Sequence, residues 1–267
     1  MWFQQYIDAG NLEINARLTA NIVANENLLN DNGSLNGTPS NTWTPIGRNF
    51  TLAAKSYNGT LDGAGHSITG LFFYDTKGAG YYGLFAKMSR GTVKNLAIVD
   101  SFFAGTSNSN YVGTFVGEGY AVNVENCYSN ATIVGSSYCG GIAGSNGRTV
   151  SNCLYNGKIT GESSSNAITA DNGDFGKLTN CYYNENCGLS SSRATAVTDD
   201  QLSSGEVAYL LNSDKSAINW YQNVDRGEKD NVPTLNSEHY TVYKKNNGYT
   251  NILLGCLLYT SPSPRDV

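Results

Sequence analysis

Between Tyr81 and Gly161 the chain states one pattern three times, and this repetition limits its fold more than any other feature. Gly83-Leu84-Phe85-Ala86, Gly113-Thr114-Phe115-Val116-Gly117 and Gly140-Gly141-Ile142-Ala143-Gly144 form one half of it. Val93-Lys94-Asn95-Leu96, Val124-Glu125-Asn126-Cys127 and Val150-Ser151-Asn152-Cys153 form the other. A fainter fourth copy runs from Asn166-Ala167-Ile168 to Leu178-Thr179-Asn180-Cys181. From Phe85 to Phe115, Ile142 and Ile168 the steps are 30, 27 and 26 residues, a period that marks stacked supersecondary units.

Each copy carries short strands of period two, separated by Gly, Asn and Ser, and no helical periodicity. None is long enough to bury its own apolar face. Coiling solves this by laying each copy on the previous one, with equivalent residues roughly 4.8 Å apart. Phe85/Phe115/Ile142/Ile168, Val93/Val124/Val150/Leu178 and Leu96/Cys127/Cys153/Cys181 then become three inward files, which suit a roughly triangular coil. Asn95, Asn126, Asn152 and Asn180 fall at one corner, where Asn tolerates positive φ and stacked amides bond one another as a structural ladder. Cys127, Cys153 and Cys181 read as buried thiols filling small apolar spaces, because parallel side chains make the disulfide torsion difficult. Cys139 and Cys187 are the better placed pair if any bridge forms. Lys94 over Glu125 is an exposed pair worth about 0–1 kcal/mol.

These glycine turns, each followed by Val-x-Asn-Leu or Val-x-Asn-Cys, resemble the GLUG-type repeats of bacterial cell-surface proteins. The lead-in Trp43-Thr44-Pro45-Ile46-Gly47, with Tyr57-Asn58-Gly59-Thr60-Leu61-Asp62-Gly63-Ala64-Gly65-His66-Ser67-Ile68, is similar to what precedes such repeats. The resemblance covers Trp2 to Lys245. It implies an all-β, right-handed parallel β-helix, exported and displayed at the cell surface, and it implies no catalytic residues.

Composition narrows the partners. A net charge of -5 offers no broad attraction to nucleic acid or an anionic membrane. With 15% charged residues and 40% hydrophobic ones in 267, and a mean hydropathy of -0.33, direct membrane insertion is disfavoured. There is no CxxC, and the 2 histidines, His66 and His239, do not make a metal motif. No cofactor is expected.

The chain divides into residues 1–24, an N-terminal helix cap with the first strand; 25–189, the β-helix; 190–245, a C-terminal capping segment; and 246–267, a linker and tail. Trp2, Phe3, Tyr6 and Ile7 form the apolar face of a short helix closed by Gly10. With no N-cap residue before it, the natural chain is expected to begin further upstream. Ile68-Thr69-Gly70-Leu71 aligns 25 residues before Val93-Lys94-Asn95-Leu96. Ser203-Ser204-Gly205-Glu206 reads as a capping box opening a helix over Val207 to Leu211, and Asp199-Asp200 as acids at a helix start. With Trp220-Tyr221-Gln222 and Val232 to Leu235, these segments form a C-terminal lid, and Thr241-Val242-Tyr243 a last strand. Residues 256–266 resemble the in-frame translation of a transposase sequencing adapter, a scar to be left out of fold reasoning.

Asp62-Gly63-Ala64-Gly65-His66 matches no metal motif or triad and reads as a tight corner. Parallel β-helices also host polysaccharide lyases and hydrolases, whose chemistry needs converging acids. Asp100, Glu118, Glu125, Glu162, Asp171 and Asp174 are scattered through the repeats. Tyr81, Tyr111 and Tyr138 each precede an inward Phe or Ile by four residues and should stack on consecutive coils. They form either a stabilising column or an aromatic platform for glycan rings, with Tyr128, Tyr155, Tyr182 and Tyr183 a second set. The expectation is a non-catalytic, extracellular or cell-surface module, adhesive or spacer, binding a glycan or host surface. The alternative is a polysaccharide-degrading lyase or hydrolase.

Overall fold

The structure, a computed structural model, describes residues 2–47, 56–75, 78, 80–105, 110–135, 137–162, 164–171, 176–213 and 217–253. The parallel β-helix anticipated from the repeats is the fold, a solenoid of about 4 turns. Every pairing between coils is parallel; the final Tyr243–Lys245/Gly248–Thr250 hairpin is antiparallel.

The column read from the valines is present in full register and continues past the repeats: Ala16, Leu61, Val93, Val124, Val150 and Leu178 lie opposite one another, coil upon coil. Leu96 lies opposite Cys127 in the third file. Phe85, Phe115, Ile142 and Ile168 are all buried. However, Phe85 pairs with Val116 rather than Phe115, because the second coil carries one extra residue at this corner. Burial of each such side chain contributes roughly 1.5–3 kcal/mol, so the stacked core carries the fold.

Three expectations about the coil need correction. Its wall is made of four parallel sheets, the first bent at the asparagine corner, and not of three flat faces. Ile68 lies over Ile98, and Leu61 occupies the place over Val93. The Ala64-Gly65 turn inserts two residues here, and both have positive φ, 53° and 87°. Lys94 is in register with Glu125, yet its ammonium turns toward Asp62, 3.9 Å away.

At the first end, helix α1 (Trp2–Asp8) lays Ile7 and Phe3 onto the coil, with Phe3 edge-on to Tyr57 at 5.8 Å. The other half of its expected apolar face turns outward: Trp2 is 66% exposed and stacks on Tyr6 at 5.1 Å. At the far end the parallel sheet runs beyond residue 189, since Thr195–Val197 pairs with Tyr182–Asn184. Leu189 and Ala194 pack on the end of the core.

Helices α2 (Asp199–Ser203) and α3 (Glu206–Leu211) follow. The capping box is Thr198 with Gln201, opening α2 over Asp199 and Asp200. The Ser203–Glu206 box does not form: the cap of α3 is Gly205, at φ 90°, which has no side chain to accept from the first turn. From here the chain does not sit as a lid. It runs along the outside of the coils as a strap, burying Leu202, Val207, Leu211, Trp220 and Leu235 against a second column, Tyr128, Leu154 and Tyr182. Asn180, on the fourth repeat, donates to the Leu210 carbonyl at 3.1 Å. Leu235 reaches back to the first coil, its carbonyl filling the space where a Gly65 side chain would stand.

Order continues past Lys245, so residues 246–251 are not linker. The hairpin ends in Asn251, whose amide donates to the Gln222 and Thr241 carbonyls at 2.7 and 3.0 Å. The adapter-like residues 256–266 lie outside the described residues.

Trp220 is fully buried between strap and coil, so Trp220→Ala should cost about 3–5 kcal/mol. Hydrogen exchange checks where that loss falls. Amides from Leu202 to Asn251 should lose protection while those of Val93, Val124 and Val150 keep it.

Candidate functional site

The tyrosines stand in one column, because Tyr111 pairs in register with both Tyr81 and Tyr138. Ring centroids are 5.4 and 4.5 Å apart, with planes inclined by 20° and 6°. Lys87 covers the Tyr81 ring at 4.0 Å. Stacking of this kind spends the ring faces on one another, leaving a row of edges and hydroxyls instead of a flat platform. The second set splits. Tyr128 and Tyr182 lie under the strap with Leu154 between them, while Tyr155 and Tyr183 face the interior. Tyr155 donates to the Ala131 and Lys158 carbonyls at 2.9 and 2.8 Å, and burial raises its pKa far above the usual phenol value.

At the asparagine corner Asn95, Asn126, Asn152 and Asn180 have φ of 51°, 49°, 51° and 52°. Asn126 donates to Asn95 at 3.3 Å, Asn180 to Asn152 at 2.8 Å, and Asn95 to Asp62 at 3.0 Å. Beside them, Cys127, Cys153 and Cys181 place their sulfurs 3.8, 3.7 and 3.3 Å from the Val93, Val124 and Val150 carbonyls of the preceding coil. Burial, followed by the Cys127 contact, raises the Cys153 pKa well above the ordinary thiol value. For Cys181 the contact with Cys153 leads and burial follows. Protonated, enclosed thiols are poor nucleophiles and poor metal ligands.

Cys139 and Cys187 are also free and buried. They form no bridge, because Cys139 sits in the Tyr138–Gly140 strand and Cys187 in the turn after Tyr182–Asn184, on a different face. Cys187 bonds instead to the Leu189 carbonyl at 3.1 Å. Burial pushes the Cys139 thiol up to about 11.

Several acids are engaged in structure. Asp100 accepts the Leu28 and Leu29 N–H groups at 2.7 Å each. Asp62 accepts from Ala64 N–H at 2.9 Å within the corner, and Glu118 pairs with Lys87 at 3.2 Å. The Thr250 hydroxyl at 2.6 Å and the Asn251 N–H hold the Asp225 carboxyl below its ordinary pKa. Among the described residues no three of His, Cys, Asp and Glu gather as a metal-holding group. Asp174 lies outside those residues.

One assembly escaped the sequence reading. The strap and the first coil enclose a groove of about 560 Å³, and both histidines line it. His239 Nδ1 lies 2.7 Å from Asp230 Oδ2, which also accepts the Asn223 N–H at 2.7 Å. A carboxylate only accepts, so Nδ1 carries a proton and Nε2 is left outside that pair. The available signal was that both histidines fall next to turns, His66 after Gly65 and His239 after Asn236-Ser237-Glu238. Nothing local joined the two turns.

The sequence matches no protein-family profile. Over 91 residues, 34% of the chain, it is 36% identical to halomucin of Haloquadratum walsbyi, and that stretch is 1% of halomucin's length. Among solved structures, a Bacteroides ovatus protein described as a proposed immunoglobulin A1 protease overlaps 87% of this chain and 89% of its own, at 15% identity and a TM-score of 0.44.

The corner asparagines make a test of the ladder. Asn126→Gly keeps the left-handed corner and loses an amide bond, a cost of about 0.5–1.5 kcal/mol. Asn126→Ala must add the left-handed penalty, about 1–2 kcal/mol more. Urea unfolding of both variants should show that order.

Proposed function

We propose that this chain is a non-catalytic, exported surface module, a stiff β-helical spacer that also carries an adhesive flank. One observation carries the reading: acids, thiols and amides that chemistry could draw on are engaged in holding the coil together. Asp62 and Asp100 accept backbone N–H groups, Glu118 pairs with Lys87, the described thiols are free and buried, and corner amides bond across coils. The in-register pairing from Ala16 to Leu178 gives a rod of fixed length, as a spacer requires. The similarity of a third of the chain to halomucin supports placement at a cell surface.

The second reading, a polysaccharide-degrading enzyme, draws its support from the Asp230–His239 pair beside the groove. An oriented imidazole is a competent general base.

Beads coated with the protein should be retained on mucin or polysaccharide films under flow several-fold better than albumin-coated beads. The same films should release no new reducing ends or unsaturated sugars. Retention equal to the albumin control contradicts the adhesive reading. Sugar release that disappears in His239→Ala would put the enzyme in its place.

A further inference from the structure

We infer that the groove between the strap and the first coil is a glycan-binding site that takes a short run of uncharged, hydroxyl-rich sugars. The inference rests on the surface-module reading and gives its adhesive flank a location.

Size and chemistry point to this ligand together. The hollow's volume of about 560 Å³ falls within the roughly 300–1,000 Å³ typical of small-ligand sites. Its floor is the outer side of the coil, where the half-buried Ala97 and Val99 give an apolar surface for the C–H face of a pyranose. Its rim brings Asn21, Ser67 and Asn236 within one hollow, groups that both donate and accept, as hydroxyl pairs require. No Lys or Arg lines it, which turns the choice away from phosphate, sulfate and nucleic acid, since these need cationic partners.

The histidines complete the set. His239 is fixed through Nδ1 by Asp230, so Nε2 is pre-oriented to bond a sugar hydroxyl, which can both donate and accept. His66 is half-buried on the opposite wall, and no described residue bonds its imidazole. An orientation already set by the protein lowers the ordering cost of binding. The groove stays open because Leu235 is held on Gly65, where any side chain would strike the Leu235 carbonyl. Ser237 lines this hollow and also a second of about 250 Å³ on the other side of that contact, beside Arg17, Asn95 and Tyr221.

A neutral-glycan array followed by calorimetry on the full chain tests the assignment. Ser237→Trp fills the rim from an exposed position, and His66→Ala removes an imidazole that supports no other described residue. Each should weaken binding of the retained glycan at least about tenfold with thermal stability unchanged, whereas Tyr111→Ala should leave it within about twofold. Unchanged affinity in Ser237→Trp overturns the site, as does a wild-type chain that retains no array glycan. Bead retention that survives Ser237→Trp would remove the groove and leave the surface-module reading standing.

Discussion

Parallel backbone pairing between equivalent residues of successive coils is the constraint on which everything else rests. Such pairing fixes like side chains one strand spacing apart, so a choice made once per repeat is multiplied along the axis. Val93, Val124 and Val150 become a column, Asn95 and Asn126 share an amide bond, and Tyr81, Tyr111 and Tyr138 stack ring on ring. None of these contacts is local in sequence. All of them follow from one register.

A solenoid built this way has two weaknesses, its open ends and its exposed sheet faces. Here α1 covers one end through Ile7 and Phe3, and the Leu189–Ala194 stretch packs on the other. The strap treats the face. By burying Tyr128, Leu154 and Tyr182 it converts an outer column into a second core, and by crossing back to the first coil at Gly65 and Leu235 it creates the seam in which the groove lies. Covering the outer column and forming the groove are therefore one event, and loss of the strap would remove the groove with it.

The repeats were readable because period alone placed Val124 under Val150 and gave each corner its asparagine. What escaped was whatever broke the period or came from far away. The Val93 column is filled by Leu61, and Ile68 falls five places on, over Ile98, with the Ala64-Gly65 turn adding two residues between them. Both Thr198 and Ser203 stand three residues before a side chain able to complete a box. Only the left-handed backbone at Gly205 decides between them. Tyr128 and Tyr182 looked like surface residues because the strap that covers them is contributed by residues 202–235. The groove was least legible, since His66 and His239 meet only after the strap has folded back. The tyrosine column was legible because one register repeats it, and the stacked rings match the stabilising column of the two readings the sequence allowed.

The solenoid thus divides its structure: repeats set its length, and a non-repeating strap borders a groove against the first coil. The register itself is open to direct measurement by nuclear Overhauser contacts in isotope-labelled protein. Amide and α-proton cross-peaks should join Val124 to Val93 on one side and to Val150 on the other. Cross-peaks linking Val124 to antiparallel neighbours, with none to those two valines, would contradict the solenoid and everything drawn from it.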